Sequence, residues 1–191
     1  MVVADKDAYN YTLSQCGISF GDHYLLQWQV LGNRVYFEMK LSNIPKDEDF
    51  WIGIGFSKIQ VNSPADESEV LAILRLQGTI SLEIFNIKSG KIESAESIND
   101  KDKQVNLTYI YHNSTSLDSN FTRSLHNDHF FNNSINDCAI WTFYTIPVLM
   151  NETFIDPIFD ALLCNLSILC TPHSIDNSSS ELNCKLILRL M

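Results

Sequence analysis

Lysine and arginine are few and scattered: 13 basic residues stand against 23 acidic ones, and no stretch gathers the basic ones together. A phosphate backbone or an anionic membrane surface requires such a cluster, so nucleic acid is excluded as a partner, and membrane contact is expected only through a segment outside this chain. Long apolar runs are missing too. Ala139 to Val148 and Asp160 to Cys170 are the longest, both contain polar breaks, and both fall short of the roughly 20 residues a membrane-spanning helix needs. No segment sustains an apolar period of 3.6, which argues against a helical fold. Metal spacing is absent: Cys164 and Cys170 stand too far apart for the usual zinc pattern, and His173 has no second histidine at a ligand offset. There is no Gly-x-Ser-x-Gly elbow, and Gly53-Ile54-Gly55 is followed by neither a third glycine nor a helix. With no catalytic residues to name, the chain is expected not to be an enzyme.

Asparagine, in contrast, is plentiful and patterned. Asn-x-Ser/Thr occurs at Asn10, Asn106, Asn113, Asn120, Asn132, Asn151, Asn165 and Asn177, eight candidate glycosylation sites, where chance placement would give about 2.6. That excess points to an extracellular or secreted protein, or to the ectodomain of a membrane-anchored one. The start, Met1-Val2-Val3-Ala4-Asp5, carries no basic and apolar leader pattern, so a signal peptide is expected to lie outside this sequence. Five cysteines, Cys16, Cys138, Cys164, Cys170 and Cys184, suit two disulfides and one remaining thiol in an oxidising compartment. Spacing does not fix connectivity; Cys16 with Cys138 is the preferred pair because it would tie an early strand to a late one.

Short apolar segments recur every ten to twelve residues from Ile18 onward: His23-Val30, Arg34-Leu41, Phe50-Phe56, Glu69-Leu76, Thr79-Ile87, Gln104-Tyr111 and Cys138-Ile146. Turn residues separate them, including Gly32-Asn33, Gln77-Gly78 and Ser89-Gly90. This pattern predicts an all-β fold, a sandwich or a barrel. Residues 1–15 read as a mobile lead-in, 16–146 as the sandwich and 147–191 as a C-terminal extension with three cysteines. Lys91 to Lys103 reads as loop. Asp156 to Ile168 is open to two readings, a helix with Pro157 in its first turn or an extended segment.

The central stretch is Phe50-Trp51-Ile52-Gly53-Ile54-Gly55-Phe56-Ser57, one strand with two unlike faces. Phe50, Ile52, Ile54 and Phe56 fall on the core side, and Trp51, Gly53, Gly55 and Ser57 on the other. Two glycines on one face point to an opposing sheet, a bulge or a ligand beside the backbone. Trp51, Gly53, Gly55 and Ser57 are therefore the candidate ligand pocket, with a small molecule, a sugar stacked on Trp51 or an extracellular protein as the partner. A polar constellation, Arg123-Ser124-Leu125-His126-Asn127-Asp128-His129, reads as a surface loop pinned by an Arg123–Asp128 ion pair.

Taken in order, Leu26-x-Trp28, Val35-x-Phe37, Trp51-Ile52-Gly53-Ile54-Gly55-Phe56-Ser57, Ala65-Asp66, Val70-Leu71-Ala72-Ile73, Phe121-Thr122-Arg123-x-Leu125, Asp128 and Cys138-Ala139-Ile140-Trp141 resemble a DOMON domain over residues 16–146. The resemblance implies an all-β, antiparallel β-sandwich of immunoglobulin-like type with ten or eleven strands, usually extracellular, that binds haem or carbohydrate or serves beside redox domains. Haem-binding members hold the iron with a methionine after the Gly-Phe-Ser strand and a histidine near the last core strand. Here Lys58 to Glu69 holds no methionine and Asp137 to Trp141 no histidine. Met39, His126 and His129 are the nearest candidates for axial ligands of a possible haem.

Overall fold

In the computed structural model the backbone is described for residues 11–14, 16–58, 67–97, 105–127, 133–134, 139–150 and 159–163. Every regular element among them is a strand. The first sheet comprises β1 (Tyr11–Ser14), β2 (Gly17–Phe20), β3 (Tyr24–Leu31), β4 (Arg34–Ser42), β9 (Val105–His112) and β10 (Ser116–Ser124), in the order β1-β2-β3-β4-β10-β9. The second comprises β5 (Phe50–Lys58), β6 (Glu67–Leu76), β7 (Thr79–Lys88), β8 (Lys91–Ser97), β13 (Ala139–Leu149) and β14 (Phe159–Leu163), in the order β14-β13-β5-β6-β7-β8. A small ribbon pairs β11 (His126–Asn127) with β12 (Asn133–Ser134). All pairings among the described strands are antiparallel, and of the sandwich and barrel that the spacing of turns left open, the sandwich implied by the resemblance is the observed fold.

Turn chemistry sets the registers. Gly32, at φ +59°, lets β3 fold back on β4 so that Trp28 faces Phe37 and Val30 faces Val35. Gln77-Gly78 and Ser89-Gly90 each put two consecutive residues at positive φ, the backbone of a two-residue hairpin whose twist matches the flanking strands. Between the sheets, Trp28 and Trp141 approach to 5.1 Å between ring centroids, and Phe37 meets Phe56 at 6.3 Å. Around them Leu26, Val35, Ile52, Ile54, Leu71, Ile73 and Phe143 complete the main core.

Several elements depart from the sequence reading, each for a physical reason. Lys91–Ser97 is a strand, not a loop; it lies at the rim of the second sheet, where charged residues are tolerated and useful, and its Lys and Glu content disguises it. Ser116–Ser124 is a strand of the first sheet whose inward positions include Ser119 and Arg123, so its alternation does not read as apolar. Within Asp156 to Ile168 the extended alternative holds for Phe159–Leu163, which pairs with β13. The first sheet also begins at Tyr11, inside the segment read as a lead-in, and β13 runs on to Leu149.

Candidate functional site

Strand β5 lies between β13 and β6, and its glycine face points away from the main core. That face is filled. Trp51 is only 1% exposed and packs edge-on against Phe85 at 5.3 Å and tilted against Tyr144 at 5.0 Å. Val70, Ala72, Ile87 and Val148 close a second apolar cluster around it. A Cβ at Gly53 would collide with the Leu71 carbonyl oxygen and lie 3.0 Å from the Ala72 Cα. At Gly55 it would lie 3.2 Å from Thr142 Cβ, 3.3 Å from Val70 Cγ2 and 3.5 Å from Tyr144 Cε2. The two glycines therefore let β6 approach closely and let the Tyr144 ring settle over the strand, while Ser57 is buried on the same face. Of the readings open in the sequence, packed protein is what stands beside these glycines. A tryptophan closed in this way has no face left for a sugar ring. Burial pushes the Tyr144 phenol well above its ordinary pKa, a hydrogen bond with Ser68 draws it back in part, and the Asp160 carboxylate raises it further.

Arg123 corrects the ion pair expected at the surface. It lies in the interior, where its Nε donates to Glu69 Oε1 at 2.9 Å and its Nη2 lies 2.8 Å from the same oxygen. Its Cζ stands 4.6 Å from the centre of the Phe56 ring. Asp128 lies outside the described residues. Desolvation lowers the guanidinium's pKa, and the charge and hydrogen bond of Glu69 offset part of that; an arginine remains protonated even so, here inside an aromatic core. Strand alternation carried the signal: Arg123 shares a face with Phe121, and Glu69 shares one with Leu71 and Ile73. Nearby donors are left over, since Arg123 Nη1, Trp28 Nε1, Trp141 Nε1 and Ser119 Oγ are buried without acceptors.

The haem candidates are not brought together among the described residues. Met39, fully buried, sits on β4 between Leu26 and Ser119, with its sulfur sealed in the main core. His126 lies in β11, where only the backbone is described, and His129 lies outside the described residues. A thioether sealed in the main core is closed to a haem iron as the described residues stand. Cys16 is disulfide-bonded; Cys138 and the other three cysteines lie outside the described residues, as do Asn10, Asn132, Asn151, Asn165 and Asn177.

Sequence reasoning passed over the outer face of the first sheet. Burial alternates along β3 and β4, leaving a flat polar surface on which Tyr36, Tyr109 and Tyr111 are 37%, 47% and 52% exposed. The register lines them up in rows: Gln29–Tyr36–Thr122–Asn106, then Gln27–Glu38–Asn120–Tyr109, then Leu25–Lys40–Asp118–Tyr111. Arg34 lies across this surface and donates from Nε and Nη2 to the Thr122 hydroxyl at 3.1 and 2.7 Å. The signal was present as tyrosines alternating with polar residues in Val105–His112, read only as a strand.

A two-layer antiparallel sandwich with one closed and one open outer face is thus the class of molecule. The sequence matches the DOMON domain family over residues 21–146, and the chain belongs to that family. No curated protein and no solved structure matches it. Domains of this family are generally extracellular ligand-binding or interaction modules. Among the described residues no helix is long and apolar enough to cross a membrane.

Proposed function

We propose that this DOMON domain is a non-catalytic extracellular recognition module that meets a sugar or an extracellular protein through the open outer face of its first sheet. The observation that carries the reading is the exposure of Tyr36, Tyr109 and Tyr111 among amide, carboxylate and lysine side chains in registered rows. Tyrosine offers a rigid aromatic face and a polar tip at low entropic cost, which suits both sugar stacking and protein contact. Secreted protein would be screened against glycan arrays and extracellular protein libraries beside a variant carrying Tyr36→Ala, Tyr109→Ala and Tyr111→Ala. Binding that falls at least tenfold in the variant supports the reading; binding indifferent to all three substitutions contradicts it.

A second reading, a ligand held between the sheets, is favoured by the unpartnered donors of Arg123, Trp28, Trp141 and Ser119, because buried polar groups nearly always find partners. Native mass spectrometry decides it, an added discrete mass on the secreted protein supporting an interior ligand and its absence the open face. A visible spectrum after haem addition is expected to show no Soret shift.

A further inference from the structure

Strand β9 ends the first sheet among the described strands. Such an edge presents unpaired backbone groups to any other strand, and natural proteins guard it with charge, proline, bulges or a cover. The far sheet's rim strand, β8, carries Lys91, Glu93 and Glu96. Strand β9 reads Val-Asn-Leu-Thr-Tyr-Ile-Tyr-His and has no proline, lysine, arginine, aspartate or glutamate. Among the described residues its structural guard is a bulge: Leu107 pairs with Phe121 and Tyr109 with Asn120, leaving Thr108 as the extra residue. Beyond it, Tyr109 to His112 run in regular register, uncharged and with the flanking tyrosines exposed.

What brackets this strand is a pair of sequons. Asn106 stands exposed near its start, and Asn113 follows directly on its last residue; they are seven residues apart, roughly 23 Å of extended chain. Asn113 opens the β9–β10 turn: its Oδ1 accepts from the Thr115 backbone at 2.8 Å, the Thr115 hydroxyl at 3.1 Å and the Ser116 backbone at 2.8 Å. The turn needs only contacts within three residues, so it can form early in a growing chain. Asn120 differs. It sits half-buried in the middle of β10, paired on both sides, and the hydroxyl of its sequon residue Thr122 is taken by Arg34.

We propose that Asn106 and Asn113 carry N-linked oligosaccharides that keep the β9 edge from pairing with a second copy of this chain. This rests on the extracellular reading above. The transfer joins Nδ2 of the asparagine to the anomeric carbon of an oligosaccharide held on a lipid pyrophosphate. The new C–N bond forms as the C–O bond to pyrophosphate breaks, the amide gives up one proton, and the lipid pyrophosphate leaves. A branched, hydrated sugar at each end of the strand obstructs an incoming strand sterically without covering Tyr109 and Tyr111, which rise from the face between them.

The test is glycopeptide mass spectrometry together with light-scattering mass on the full chain secreted from eukaryotic cells. Samples are the untreated protein, the same protein trimmed by endoglycosidase while folded, the Asn106→Gln/Asn113→Gln variant, and that variant with Tyr109→Lys. Occupied Asn106 and Asn113 with a monomeric mass is expected, with at least a doubling of mass after trimming or in the double variant, reversed by Tyr109→Lys. Occupied sites with a monomer in every sample overturn the edge role and leave the secreted reading standing. Unoccupied Asn106 and Asn113 in a chain glycosylated elsewhere overturn the site assignment alone. No occupied sequon anywhere overturns both.

Discussion

The two outer faces of this sandwich are made from strands of the same period and end in opposite states. On the first sheet the alternation runs buried, exposed, buried, exposed, and the outer positions hold Gln27, Gln29, Tyr36 and Lys40 in contact with solvent. On the second sheet both faces of β5 are closed, with Ile52 and Ile54 inward and Trp51 outward. A strand buried on both sides keeps its geometry but loses the polar half of its pattern, so a tryptophan beside glycines marks protein packed on protein. The lesson is that a conspicuous aromatic is not thereby an accessible one.

The interior that both sheets share is the most sensitive to substitution. Glu69→Ala leaves the Arg123 guanidinium buried and unpaired and is expected to cost about 3–5 kcal/mol, whereas Glu69→Leu with Arg123→Met is expected to restore most of that loss. Chemical denaturation of the three proteins checks both. Next, Trp51→Ala empties a site between Phe85 and Tyr144 and is expected to cost about 3–5 kcal/mol, against about 0.5 kcal/mol or less for Tyr36→Ala on the open face. Equal losses would erase the distinction. A smaller effect, about 1–3 kcal/mol, is expected for Gly55→Ala, because the added methyl presses on Thr142 and Val70.

The smallest effect is one of pH. Burial raises the Tyr144 pKa, so the unfolded chain ionises this phenol above about pH 10 while the folded chain does not. The stabilisation is fully present below that pH and declines as the pH climbs from there toward the folded value. Tyr144→Phe is expected to flatten the alkaline decline in stability, as measured by denaturation midpoints from pH 9 to pH 11; an unchanged slope would place the phenol in water.

Much of the fold was legible because strand spacing and turn residues speak in a local code. Gly32-Asn33, Gln77-Gly78 and Ser89-Gly90 each mark a turn, and the strands beside the first two follow, whereas the strand after Ser89-Gly90 was hidden by its charged residues. What escaped was non-local. Ser116–Ser124 looks polar because Arg123 is satisfied by Glu69, 54 residues away, and no short window contains both. For the same reason Arg123 read as a loop residue with Asp128 at hand. At the Trp51 strand the glycines correctly announced a close neighbour, but whether that neighbour was protein or ligand depended on Tyr144 and Phe85, which arrive from distant strands. The open face was visible as alternation yet gave no reason to be singled out until its rows were in register.

Hydroxyl-radical footprinting of the folded protein reads both faces in a single experiment. The account expects Tyr36, Tyr109 and Tyr111 to be oxidised readily while Trp51 and Tyr144 stay protected until denaturant is added. Trp51 labelled as fast as Tyr109 in the native protein would contradict it, and would return the glycine face to the list of open surfaces.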